Sequence, residues 1–332
     1  MNWPNKKPLL FCFSLLLLFP LFGQTQEMHV DKADDGRGSY WLKWDATQKR
    51  FVAYRNTRDA SAPGAQLYSE EGHGLPIYPI RDLAESHAVN VWDAAATPEG
   101  GIVMTAFVEY GTADKHYPVK SDLLTYGAAG ELKKVWDVSP YEFDLVAVDS
   151  HSNVYALGSA ELDEPYFLIV KYSPEGKVLR QFLSTSLFSQ GDHILSPGGG
   201  TKGQNRMFIE ADTLFVWLAR TEELLRFSLN GDLLGRVSLA RPLRQLAAAA
   251  GNDGVVLRSL ATGDGGGVVA QVITWDTRKS RPVTTSRFVF LPLDGSVASA
   301  LPIDADRTQL LGRSANGKLL IFEPISRTVK EY

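Results

Sequence analysis

One recurring pattern constrains this chain more than any other feature: an apolar run ending in an aromatic residue, with glycine four positions later. It occurs at Tyr68–Gly72, Tyr126–Gly130, Tyr172–Gly176 and Phe227–Gly231. Two further copies, at Trp275 and Phe322, keep the aromatic and lose the glycine. Successive aromatics stand 58, 46, 55, 48 and 47 residues apart. A repeat of about 45–50 residues made of short strands is the signature of propeller blades.

A second pattern precedes each copy: a short apolar strand, a polar turn and a second strand. It covers residues 41–54, 94–106, 145–158, 207–219, 246–259 and 301–313. The turns carry Asp, Asn, Gly and Pro, which tolerate or pre-set turn angles. The flanking runs carry Val, Leu, Phe and Tyr, which suit a pleated surface. Six copies of each pattern predict an all-β fold, a six-bladed β-propeller of four-stranded antiparallel blades. The blades are drawn at 39–80, 90–138, 143–183, 205–239, 244–288 and 298–332. No segment after Thr25 shows a helical period with caps, so no helix is expected.

The first residues read as an address. Lys6 and Lys7 precede Pro8–Gly23, sixteen residues without charge. That is short of the ~20 apolar residues a membrane-spanning helix needs, and it has the layout of a secretory signal. Gly23 and Thr25 fit a cleavage site after Thr25. Residues 1–25 are therefore read as a signal peptide, 26–38 as a linker and 39–332 as the propeller. The expected location is periplasmic or secreted, with an uncleaved membrane anchor as the alternative. The single cysteine, Cys12, lies in the leader, so the mature chain would hold no thiol and no disulfide. Its charge would be 32 − 38 = −6, against −4 for the whole chain, which offers no field for nucleic acid.

The third blade carries a family resemblance. Val148, Asp149, Asn153, Val154, Tyr155 and Gly158, then Lys171, Tyr172 and Gly176, match the repeat of NHL-type propellers. The chain thus resembles the NHL-repeat and TolB-like exported bacterial propellers, without the Asn-His-Leu signature itself. That resemblance implies six blades and a scaffold that hosts both binding modules and enzymes.

Within such a blade the first and third connections share one face. The second connection and the blade-to-blade links share the other. The long segments Glu109–Ser121, Ser184–Gln204, Gly263–Gly267 and Val289–Val297 are all assigned to the second face, where binding is expected. Residues entering the inner strands should ring the channel there: Asn90, Asp144, Arg206, Arg244 and Ser299, with Glu142, Asn205 and Gln245 beside them. This mixed-sign ring could hold a small polar ligand. Asn90, Glu142, Asp144 and Asn205 are also oxygen donors of the kind calcium takes, as in the lactone-hydrolysing six-bladed propellers, although Arg206 and Arg244 oppose a cation. Tyr110, Tyr117, Tyr166, His193 and Arg241 are candidates for contact with a partner protein. The Ser184–Gln204 segment, with His193 at its tip, is expected to fold as a flap over the channel mouth. The histidines show no zinc spacing, no GxSxG nucleophile elbow occurs, and the glycine-rich segments lack a phosphate-loop pattern. The expected function is a monomeric, exported binding module, its partner a protein or a small polar ligand. The alternative is a calcium-type hydrolase or lyase at the channel mouth.

Overall fold

The computed structural model describes residues 27–30, 41–54, 63–79, 86–110, 119–160, 167–183, 187, 205–279, 283–296 and 298–332. These form six four-stranded antiparallel sheets. The first short strand, β1 (Glu27–His29), is followed by blade 1, with β2 (Trp41–Asp45), β3 (Arg50–Tyr54), β4 (Pro63–Tyr68) and β5 (Gly74–Pro79). Blade 2 holds β6 (Ser86–Ala96), β7 (Ile102–Tyr110), β8 (Val119–Tyr126) and β9 (Leu132–Asp137). Blade 3 holds β10 (Tyr141–Val148), β11 (Val154–Ala160), β12 (Phe167–Tyr172) and β13 (Val178–Phe182). Blade 4 holds β14 (Arg206–Glu210), β15 (Thr213–Leu218), β16 (Glu223–Ser228) and β17 (Leu233–Ser238). A helix, α1 (Ala240–Ala249), leads to blade 5, with β18 (Gly254–Thr262), β19 (Gly267–Trp275), β20 (Thr285–Pro292) and β21 (Ser299–Ala300). Blade 6 takes β22 (Gln309–Arg313), β23 (Leu319–Glu323) and β24 (Thr328–Glu331) from the end of the chain and β1 from its beginning. The fold is a six-bladed β-propeller.

The aromatic-to-glycine pattern has a direct structural cause. In blade 3, Tyr172 ends the third strand and Gly176 turns the chain into the fourth, donating its N–H to Ser173 O at 2.9 Å. Gly176 has φ +87°, a conformation that disfavours a side chain, and a Cβ there would meet the Trp136 ring of blade 2 at 2.7 Å. The aromatic does the complementary work, since Tyr172 is buried in the seam between blades 2 and 3. Apolar side chains gather into six such clusters, one between each pair of neighbouring blades. The core is a ring of seams around a central channel.

Blade 3 also shows why an aspartate opens its first turn. Asp149 is nearly fully buried and accepts from His151 N, Asn153 N and Asn153 Nδ2, each at 2.9 Å. The Tyr155 hydroxyl lies 3.1 Å from Asp149 Oδ2 and 2.8 Å from Leu229 O of blade 4. Burial and the Asp149 charge hold the Tyr155 phenol well above its usual range.

Several expectations are corrected. The 240–249 segment is helical: Leu239, Leu243 and Ala247 share one buried face at helical spacing, and Pro242 stands in the first turn. As a result, β18 begins at Gly254 and blade 5 extends to Ala300 rather than 288. Blade 6 begins at Gln309, and residues 27–29, assigned to a linker, supply its outer strand. Trp275 and Phe322 therefore lie in second strands, whereas Tyr68, Tyr126, Tyr172 and Phe227 lie in third strands. Lastly, the 263–267 segment joins β18 to β19 as a first connection, and the Val289–Val297 segment falls at the end of β20 and its link to β21, a third connection, so both lie on the opposite face from that expected. The leader and its cleavage site fall outside the described residues. Among the described residues no helix is long and apolar enough to cross a membrane.

Candidate functional site

The inner strands β2, β6, β10, β14, β18 and β22 surround a cavity of about 280 Å³ along the channel axis. One end is crossed by the β2–β3 turn of blade 1. Thr47 Oγ1 reaches Ile209 O on blade 4 at 3.4 Å, and Gln48 Nε2 reaches Asp149 O on blade 3 at 3.4 Å. In a ring of six, blade 4 stands opposite blade 1, so this turn spans the floor. Asp45 secures it, its Oδ1 accepting from Thr47 N and Gln48 N at 3.1 Å each. This end is the turn face. The other is the link face, which carries the blade-to-blade links, and there Trp41 stands 51% exposed.

Counting back four residues from the last residue of each inner strand selects Trp41, Trp92, Asp144, Arg206, Arg258 and Gln309. All six line the cavity. Three are placed by the same device, because the register of β6, β10 and β18 against their neighbours skips Trp92, Asp144 and Arg258 in turn. A bulged residue is released from pairing, and its side chain is re-aimed. In circular order, Trp41 and Trp92 occupy blades 1 and 2, Asp144 blade 3, Arg206 and Arg258 blades 4 and 5, and Gln309 blade 6. Two indoles thus face two guanidiniums, with an acid and an amide between them.

Beside this ring, Lys43 Nζ pairs with Asp93 Oδ1 at 2.7 Å, and Asp93 Oδ2 accepts from Val146 N at 2.9 Å. These bonds tie blades 1, 2 and 3 together. The Lys43 ammonium lies 5.9 Å from the Tyr54 ring centroid. Burial, with Asp93 nearby, pushes the Tyr54 phenol well above its usual range. Arg206 donates to Arg258 O at 2.6 Å and to Asn205 O at 2.5 Å. Burial lowers its pKa, and the like charge of Arg258 acts in the same direction, while Tyr54 and Asp93 oppose it. The Arg258 side chain makes no hydrogen bond or ion pair among the described residues.

The residues expected at the mouth separate into groups. Asp144 and Arg206 line the cavity, and Asn90, Glu142 and Asn205 do not. Asn205 is buried, with its Oδ1 accepting from Ala219 N at 3.0 Å. Arg241, Arg244 and Gln245 lie on α1, exposed, and Arg244 pairs with Glu222 at 3.0 Å. Ser299 belongs to the outer strand β21. Tyr110 ends β7, and its side chain is not described. Tyr117, Tyr166, His193 and nearly all of the expected flap fall outside the described residues. No group of three or more His, Cys, Asp or Glu side chains suited to a metal ion occurs among the described residues. Trp41, Trp92, Arg258 and Gln309 do not emerge from the sequence reading. Reading the α1 segment as an inner strand displaces the frame of blades 5 and 6. The helical spacing of Leu239, Leu243 and Ala247 is the signal that corrects it.

The class this geometry defines is a six-bladed propeller with its channel bridged at one end. No family model matches the chain, and no curated protein sequence matches it. Among solved structures it is similar to a member of the DUF4221 family from Bacteroides vulgatus, at 10% identity and TM-score 0.47, over 93% of this chain and 95% of that one. It is also similar to a gluconolactonase from Xanthomonas campestris, at 12% identity and TM-score 0.43, over 93% and 89% of the two chains. The WD40 propeller domain of Doa1 aligns at 10% identity and TM-score 0.37, over 92% and 96%. The fold assignment rests on the strand order itself.

Proposed function

We propose that this chain is an exported, non-catalytic binding module that takes a small organic ligand into its channel from the link face. The observation that carries this reading is the cavity of about 280 Å³ with a bridged floor, lined by aromatic and aliphatic side chains and by converging charged and polar groups. Ligand sites typically combine these features. Export is supported by Lys6, Lys7 and the uncharged run after them.

The test is a thermal-shift screen of a metabolite library on the purified protein, with tryptophan fluorescence as a second readout. A ligand that binds the folded state raises the melting temperature by mass action. The reading expects hits that are lost in Trp41→Ala and kept in Arg241→Ala and Arg244→Ala. Hits with the reverse pattern would move the site to the surface of α1. The hydrolase alternative is separated by chelation: a fall in melting temperature with chelator, restored by calcium, would favour a metal site over this reading.

A further inference from the structure

The six-residue ring is sorted by chemistry around its circumference. Trp41 and Trp92 form one wall, and Arg206 and Arg258 form the wall across from it. The sorting extends to charge. Near this level stand Lys43, Arg206 and Arg258 against Asp93 and Asp144, three cations to two carboxylates. At the inner-strand ends the balance reverses, with Asp45 and Glu210 against Arg313. Asp93 is engaged by Lys43, and Arg206 is fixed by two backbone carbonyls. That leaves Arg258, an exposed guanidinium on a bulge, beside a second cation that it repels. An anion placed between the two would relieve that repulsion, and a guanidinium matches the two oxygens of a carboxylate.

We infer that the channel binds a small single-ring carboxylate, its carboxylate on Arg258 beside Arg206 and its ring against Trp41 and Trp92. This rests on the channel being a binding site, and it adds the class of ligand. The cavity volume suits one ring rather than a polymer. Trp41, half exposed at the link-face end, offers apolar surface that an arriving ring would cover. The wall of Trp92 is held by edge-on packing against Phe107, with centroids 5.6 Å apart. Asp144 and Gln309 flank the axis between the walls, where they can read a hydroxyl or amino substituent of the ring.

The experiment pairs acids with their isosteric amides: benzoate with benzamide, and phenylacetate with phenylacetamide, plus acetate as an acid without a ring. Affinities for the full chain are measured by calorimetry. The inference expects each acid to bind about tenfold or more tighter than its amide, the size of one charge-assisted hydrogen bond, and acetate to bind more weakly than either acid. In Arg258→Gln the preference for acid should vanish. In Trp41→Ala both members of each pair should weaken together. Amides that bind as well as acids, or an Arg258→Gln protein that still prefers acids, would overturn the ligand class. If the library yields other channel ligands while no acid of the pairs binds, the class falls and the channel reading stands. If neither the pairs nor the library yields a channel ligand, both fall. Because Arg258 is exposed and its side chain makes no hydrogen bond or ion pair among the described residues, its replacement should not lower the melting temperature of the free protein, so a loss of binding cannot be assigned to unfolding.

Discussion

Asp45 anchors the turn that crosses the channel floor. Burial raises its pKa from 3.8 to about 6, against the opposing pull of the Gln48 N–H and of the Lys43 charge. A carboxyl with a raised folded pKa supports the fold fully below about pH 4, where both states hold the proton. As pH rises through about 6 that support is lost, because the unfolded chain ionises more readily than the folded one. A rise of this size corresponds to about 3 kcal/mol. Asp45→Asn keeps an oxygen acceptor for Thr47 N and Gln48 N and cannot ionise. Urea midpoints should therefore place the variant level with the parent near pH 4 and above it near pH 7. A constant difference between the two across that range would show that Asp45 does not titrate with folding.

At the scale of elements, ring closure depends on a strand of three residues. β1 pairs Glu27, Met28 and His29 with Lys330, Val329 and Thr328. Val30 is fully buried, its N–H donating to Arg327 O at 2.8 Å while Arg327 Nε donates to Val30 O at 3.0 Å. Blade 1 packs onto the same strand through Gly72, whose φ is +87° and where a Cβ would lie 2.5 Å from His29 O. A chain starting after Val30 loses these pairs and exposes the edge of β24. Its stability should fall by about 3 kcal/mol or more, read as a lower melting temperature. Melting within about one degree of the parent would show that three-stranded closure suffices. This strand is not legible in the sequence, because three residues carry no periodicity and their partner lies at the other end of the chain. The turn of blade 3 is legible, since Asp149, Asn153 and Tyr155 satisfy one another locally. The ring of Trp92, Asp144 and Arg258 is legible only in part. A bulge is decided by strand register, so a regular strand and a bulged one can share the same apolar pattern.

For the molecule as a whole, the Trp41 level of the channel and the surface carry opposite electrostatic characters. The chain has 34 basic and 38 acidic residues, a net charge of −4, so its mean field attracts cations and repels anions. Around Trp41 the local balance is three cations to two acids, with Arg206 across the channel. Fields from exposed charges fade over a Debye length of about 10 Å in 0.1 M salt, so local charges govern a small ion at the ring. Trp41 is half exposed, whereas Trp44, Trp136 and Trp217 are buried. The fluorescence that vanishes in Trp41→Phe therefore isolates this indole. Relative to their quenching of free N-acetyltryptophanamide, iodide should quench that component more strongly than caesium, against the sign of the net charge. In Arg258→Gln the excess over caesium should shrink, and raising the salt should shrink it in the parent as well. Quenching by caesium that is the stronger on that relative scale would mean that the overall negative charge reaches into the channel, and the cationic wall would then have no hold on an arriving anion.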